Sequence, residues 1–332
     1  MKKFFCAVAL STLTLAMTNV SYAQATKVLR LSHNAAPNNP KSDGSLLFAK
    51  LVEEKTEGRI KVEVGGSAQY GDDTETLTNL RLGTIAFSAN SQGTTSTVVP
   101  EIALIGLPFL FKDLDHAYQV VDSEVGEEIK KAARKKGLEI LAFWDNGIRH
   151  TSNNQHPIID PADLKGLKIR TPPDPMTIDI FEQLGASPVS LAFSELYIAL
   201  QQKVVDGQEN PLMNIYSSKL HEVQKYISFT GHKYETTPFI MSKMLFDSLS
   251  ADDQKLIIEA AMEAKDFNRA ESKKADEELK VKLTEAGVEL NEINDIEEFR
   301  ALTNQSTISG ERNTQSLSTR WSKELSKDER RH

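Results

Sequence analysis

The chain has 332 residues, of which 39% are hydrophobic, 26% charged and 7% aromatic, with 47 acidic side chains against 39 basic ones. An apolar share of that size belongs to folded protein rather than low-complexity disorder. A mean hydropathy of −0.37, with no long apolar run beyond the first 23 residues, argues against a polytopic membrane protein, and the acidic balance disfavours a general nucleic-acid binder. At roughly 150 residues per domain, the length suggests two domains.

Met1-Lys2-Lys3 is a short basic start, and Phe4 to Ala16 is an apolar stretch too short to span a bilayer comfortably. Ser21-Tyr22-Ala23 then sets small residues at −3 and −1 before Gln24. The pattern predicts a secretory signal peptide cleaved after Ala23; the alternative is a membrane-anchor helix. Cleavage removes Cys6, the only cysteine, so the mature protein has nothing for an oxidising compartment to oxidise. Lys2 and Lys3 leave too, taking the formal charge from −8 to −10. The expected destination is a periplasm.

Val28 to Ser32 reads as a strand, followed by a turn-rich segment from Asn34 to Pro40. Ser45 to Thr56 carries Leu46, Leu47, Leu51 and Val52 at helical spacing, with Gly58 as its stop. Arg59 to Val64 alternates as a half-buried strand does, Asp72 and Asp73 open a helix through Leu82, and Thr84 to Ala89 reads as a strand. This strand–helix rhythm predicts an α/β layered fold with a largely parallel sheet. A helical stretch from Asp115 to Lys136 precedes Gly137 and the apolar strand Leu138 to Trp144. Prolines 157, 161, 172, 173 and 175 then mark turns and crossings. Short strands at Leu167–Arg170 and Val204–Asp206 flank helices at Met176–Leu184 and Ser194–Gln202, a second α/β unit. Ser250, with Asp253 three residues on, caps a helix running to about Glu285. Some 35 residues of helix span about 50 Å, enough to cross from one domain to another.

Several chemistries are missing. There is no glycine-rich phosphate loop, no G-x-S-x-G elbow, and His221-Glu222 does not continue as a paired-histidine zinc helix. The seven histidines show no metal-ligand spacing, and Asp72-Asp73-Thr74-Glu75 suits a helix N-terminus better than a calcium loop. Neither a metal nor a cofactor is expected. Two arginines point instead to a ligand. Arg149 follows the strand ending at Trp144, and Arg170 ends the strand Leu167-Lys168-Ile169. Ligands of open α/β sheets gather at the carboxyl ends of strands, and a guanidinium holds a carboxylate in a planar fork. On composition alone, two ordinary surface arginines are the more common reading. Asp206-Gly207-Gln208-Glu209-Asn210-Pro211 adds Asn210 as donor and acceptor, and Phe193 offers an apolar face, although a phenylalanine is more often core.

Four segments occur in order: Asp163-Leu-Lys-Gly-Leu-Lys-Ile-Arg170, Leu184-Gly-Ala, Ala192-Phe-Ser-Glu-Leu-Tyr197 and Val205-Asp-Gly-Gln-Glu-Asn-Pro211. With them the sequence resembles, over essentially the whole mature chain, the DctP-type substrate-binding subunit of TRAP (tripartite ATP-independent periplasmic) transporters. The resemblance implies a binding protein, not an enzyme. Its fold would be a two-lobed Venus-flytrap with a long helix spanning both lobes, here residues 24–146 plus 235–274 and residues 147–234 plus 275–332. It implies Arg170 as the arginine that pairs with the ligand carboxylate, Arg149 as a second arginine, Asn210 beside the same carboxylate and Phe193 as the pocket aromatic. His33, Asn34, Glu75, Asn90 and Gln92 correspond to first-lobe positions that vary with the ligand. Trp144-Asp145-Asn146-Gly147-Ile148-Arg149 and Glu222 to His232 look like members that bind sugar acids, with Asp145 suited to hydroxyls and Asn146 beside it. The implied ligand is a small organic acid, a hexuronate such as glucuronate or galacturonate, or an aldonate. A C4-dicarboxylate, sialic acid and a role as the input of a membrane sensor stand as alternatives. The implied partners are small and large membrane permease subunits, and uptake would be driven by an ion gradient. A monomer is the default, with a dimer through residues 295–325 the alternative.

Overall fold

The computed structural model describes residues 26–303. The signal peptide and most of the 295–325 segment lie outside the described residues.

The first part of the chain runs β1 (Lys27–His33), α1 (Pro40–Lys55), β2 (Ile60–Gly65), α2 (Asp73–Leu82), β3 (Phe87–Ala89), α3 (Gln92–Ser96), α4 (Leu114–Val121), α5 (Glu124–Lys135) and β4 (Leu138–Asn153). It continues through β5 (Lys168–Thr171), α6 (Pro175–Gln183), β6 (Ser187–Ser190), α7 (Leu196–Gln201), β7 (Gly207–Asn210), α8 (Leu212–Ser217) and β8 (Tyr226–Ser242). The last elements are α9 (Lys243–Asp247), α10 (Ala251–Glu285), β9 (Glu289–Glu292) and α11 (Ile296–Leu302).

The strands form one mixed sheet in the order β2-β1-β3-β8-β4-β7-β5-β6, with β9 also on β8. Its frame is an antiparallel ribbon of the two long strands, in which Leu138 faces Ser242 and Asn153 faces Tyr226. At one end, β3 pairs with β8 through Phe87–Met241 and leads to β1 and β2. At the other, β7 pairs with β4 through His150–Asn210 and leads to β5 and β6. Two α/β halves therefore hang from opposite ends of one ribbon. The α/β class and the long helix agree with the sequence reading. The largely parallel sheet needs correction: β3–β8, β4–β8 and β4–β7 are antiparallel.

Local chemistry sets the element ends. Asn39 caps α1 by accepting from Lys41 N–H at 2.9 Å, and Pro40 supplies a pre-set first residue, so the helix starts five residues before the periodicity suggests. The expected helix from Asp115 to Lys136 is two helices, because Ser123 caps a new one at Val125 N–H. Ser250 caps α10 as expected, accepting from Asp253 N–H at 3.1 Å, and Gly287 follows its end at φ +87°.

Three apolar clusters hold the molecule. One joins Phe48, Phe87, Trp144 and Phe239 with Ile257, Ala260, Ala261 and Ala264 of α10. A second joins Leu196, Leu200, Leu212 and Ile215 with Leu279 and Leu283 of the same helix. A third runs along the sheet from Leu77 through Phe143 and Ile169 to Phe181. The long helix thus contributes to a core in each half.

Candidate functional site: a cavity with one uncommitted guanidinium

The cavity lies between the two halves, over the middle of the ribbon. Asn34, Lys41, Asp73, Ser91 and Thr94 line it from the first half, and Arg170, Phe193, Asn210 and Asn214 from the second. Asn146 and Arg149 of β4 also line it. The register of β4 against β8 shifts between Asp145 and Gly147 and again between Arg149 and Thr151. Such irregularities re-aim side chains in a strand, and Arg149 stands between these two.

The arginines are both buried, at 3% and 1% exposure, but differ in company. Arg149 donates through Nε and Nη2 to the Glu209 carboxylate, through Nη2 also to the Glu209 carbonyl at 2.7 Å, and through Nη1 to Glu235. Burial alone would lower its pKa; Glu209 and Glu235 outweigh that and raise it. The same contact holds Glu235 at about 2, against a burial that would raise it, with help from Lys233 and the Ser91 hydroxyl. Arg170 donates through Nε and Nη2 only to the Leu191 carbonyl, at 3.0 and 2.7 Å. Among the described residues it forms no ion pair. Burial brings it down to about 10, and the Phe193 ring stands 5.8 Å from its guanidinium carbon.

A chain of amides connects the halves beneath these charges. Asn39 Nδ2 donates to Asn214 Oδ1 at 2.9 Å, Asn214 Nδ2 to Asn210 Oδ1 at 3.1 Å, and Arg149 Nη2 to the same oxygen at 3.2 Å. Asn210 Nδ2 donates onward to Gln208. Ser91 Oγ donates to Glu235 at 2.6 Å, so the first half also touches Arg149's partner.

Six of the eleven residues chosen from sequence therefore meet at one cavity: Arg170, Arg149, Asn210, Phe193, Asn34 and Asn146. The other five lie elsewhere. His33 is buried against Gly66, and burial followed by the nearby Lys41 charge lowers its pKa to about 4. Glu75 is spent on the capping box of α2, accepting from Asp72 N–H at 3.0 Å. Asn90 donates to the Asp73 carbonyl and Gln92 to the Ile102 carbonyl, both at 3.0 Å. Asp145 lies beside Tyr118, Tyr234 and Arg269, and burial raises its carboxyl to about 7.

A buried guanidinium with no ion pair among the described residues thus faces a cavity between the two halves. Residues 31–309 match the model described as bacterial extracellular solute-binding protein, family 7, or DctP. The chain belongs to that family. A Sinorhizobium fredii protein is 50% identical over 263 residues, 79% of this chain and 48% of that protein, so this chain spans about half of that relative. The 2,3-diketo-L-gulonate-binding periplasmic protein of Escherichia coli is 34% identical over 80% of this chain and 81% of its own length. Among solved structures, a TRAP periplasmic solute-binding protein from a Sulfitobacter species holds β-D-galacturonate, at 30% identity and a TM-score of 0.85 over 88% of this chain and 97% of that one. One from Sulfurospirillum deleyianum holds succinate, at 34% identity and a TM-score of 0.83 over 87% and 95%.

Within this DctP-family site, sequence reading missed Lys41, Asp73, Glu209, Glu235 and Asn214. Glu209 sat inside a segment already singled out. Asp73 shows in the sequence only as charge at the start of a helix. Lys41 falls between the turn-rich Asn34–Pro40 segment and the helix expected from Ser45, and Glu235 lies in a long strand too polar and glycine-interrupted to be recognised. Arg149 also changes setting: it lies inside β4, which continues to Asn153, rather than beyond a strand ending at Trp144. Among the described residues, no group of His, Cys, Asp and Glu is placed to hold a metal ion.

Proposed function

We propose that the protein captures a sugar acid, a hexuronate such as galacturonate or glucuronate, or an aldonate, outside the cytoplasmic membrane. It then delivers the acid to the small and large membrane subunits of a TRAP permease. One observation carries this: the Arg170 guanidinium lines the cavity with no carboxylate among the described residues paired to it. A buried charge left unpaired is costly, and a ligand carboxylate supplies the missing partner. Asn210 and Asn146 stand beside that position, and Asn34 and Asp73 offer polar groups for hydroxyls across the cavity.

In this reading residues 24–146 plus 235–274 form one lobe and residues 147–234 plus 275–332 the other. The hinge lies on the β4–β8 ribbon, and the protein works in the periplasm after cleavage behind Ala23. Ligand contacts from both lobes favour the closed state. Shifting a 1:99 equilibrium to 99:1 takes about 5.5 kcal/mol of differential binding, within reach of a few charge-assisted hydrogen bonds at about 1.5–3 kcal/mol each.

The succinate held by the Sulfurospirillum relative favours a second reading, a C4-dicarboxylate. A thermal-shift screen with galacturonate, glucuronate, gluconate, malate and succinate separates the two. Stabilisation by the sugar acids is expected, whereas stabilisation by succinate or malate alone refutes the sugar-acid reading.

A further inference from the structure

The first turn of α1 holds a cation that the protein's own stability does not explain. Lys41 is the second residue of that 16-residue helix, after the cap Asn39 and Pro40. The helix field at that end favours anions and opposes a cation. The side chain is 3% exposed, and burial lowers its pKa. Among the described residues its ammonium makes neither a hydrogen bond nor an ion pair. Desolvation, the helix field and the missing partner all weigh against a lysine there.

Its surroundings say what would answer it. Lys41 lines the cavity opposite Arg170, and so does Asp73. Asp73 is the foremost charge acting on Lys41, ahead of Glu235 and Arg149, and Lys41 is likewise the foremost charge acting on Asp73. The two nevertheless form no ion pair. Asn34 Nδ2 donates to Asp73 Oδ2 at 2.6 Å, which leaves Oδ1 as an acceptor. A donor and an acceptor thus face one space without satisfying each other.

We infer that Lys41 and Asp73 are a donor–acceptor pair that reads one hydroxyl of the ligand from the first half, Lys41 Nζ donating to its oxygen and Asp73 Oδ1 accepting its hydrogen. A hydroxyl accepts and donates at once, so it satisfies both members. A second carboxylate would meet Lys41 but face the charge of Asp73, and a methylene would satisfy neither. The inference rests on the acid-binding reading of the site and adds the group that distinguishes a hydroxy acid from a plain one.

The test is a double-mutant cycle on the full mature protein, read by isothermal titration with galacturonate or whichever hydroxy acid of the screen binds best. Lys41→Met and Asp73→Asn are each expected to weaken binding at least about tenfold, the worth of one charge-assisted hydrogen bond. The double variant is expected to lose little more than the worse single, because both contacts go to one hydroxyl. Lys41→Gln repeats the measurement if Lys41→Met fails to fold, and thermal melting without ligand checks each variant. Unchanged affinity in either single variant, or losses that multiply, overturns the pair. Arg170→Ala reports the carboxylate contact separately, so the pair can fail while the acid-binding reading stands. A wild-type protein that binds no hydroxy acid refutes both.

Discussion

Arg149 and Arg170 line one cavity, yet among the described residues Arg149 carries two carboxylate partners and Arg170 none. The two forks are not equivalent hands for a ligand. Arg149 is already held by Glu209 and Glu235 and acts as a charged wall whose position is fixed from both halves. Arg170 has the fork to give.

Removing Arg170 should separate binding from stability. Two charge-assisted hydrogen bonds to a carboxylate correspond to about 3 kcal/mol or more, so Arg170→Ala is expected to weaken acid binding at least about 100-fold. The ligand-free protein should melt no lower than wild type, since a buried unpaired charge leaves with the side chain. Calorimetric titration and a ligand-free thermal melt check the two halves of this expectation, and a marked fall in melting temperature contradicts the second.

Removing Arg149 should do the opposite. Arg149→Met strands Glu209 and Glu235, both fully buried, and breaking a buried pair on one side costs about 3–5 kcal/mol. Urea unfolding should show that loss, and adding Glu235→Gln should recover part of it. If the single substitution is neutral, the charge network is not what holds this part of the ribbon.

Asp145 sets a pH dependence. Burial raises its carboxyl to about 7, above the value of about 3.9 for an unfolded aspartate. Between those values the folded protein holds a proton that the unfolded chain does not, so this group's contribution to stability rises as the pH falls through that window. The slope approaches about 1.4 kcal/mol per pH unit for one group. Buried His33, with its pKa lowered to about 4, works against it below about pH 6.5. The informative measurement is therefore the difference between wild type and Asp145→Asn in unfolding free energy from pH 4 to 7. Parallel curves would remove Asp145 as the source.

Gly44 marks how closely α1 approaches the ribbon. A Cβ there would stand 3.1 Å from Trp144 Cζ3 and 3.5 Å from Asn268 Cβ, and Trp144 is stacked on Phe239 at 4.3 Å with no exposure. Gly44→Val should destabilise by about 1–3 kcal/mol through overpacking and shift the emission of Trp144. Unchanged stability would mean that α1 can move away from the ribbon.

The sequence was most readable where one local rule decided the outcome. Ser250 and Gly287 bound α10 by capping alone, and the segments around Arg170 and Asn210 reached the cavity because their motifs were compact. Long-range pairing escaped. The strand β8 carries Gly231, Lys233, Glu235 and Pro238, residues that read as loop, and becomes a strand because β4, β3 and β9 take its edges. Its Glu235 was missed with it. Periodicity cannot report that a polar residue will be buried against a partner some 86 positions away, as Arg149 and Glu235 are. Gln92 and Asn90 failed as cavity residues for a related reason: nearby backbone carbonyls claim their amides.

The shared helix also bears on how the molecule comes apart. Ile257 and Ala261 of α10 belong to one apolar cluster and Leu279 and Leu283 to another, and no glycine or proline interrupts the helix between Ala251 and Glu285. Neither half can lose its core without stripping a face from a helix the other still needs. Two halves that share one helix in this way are thus bound to melt together, as one cooperative unit.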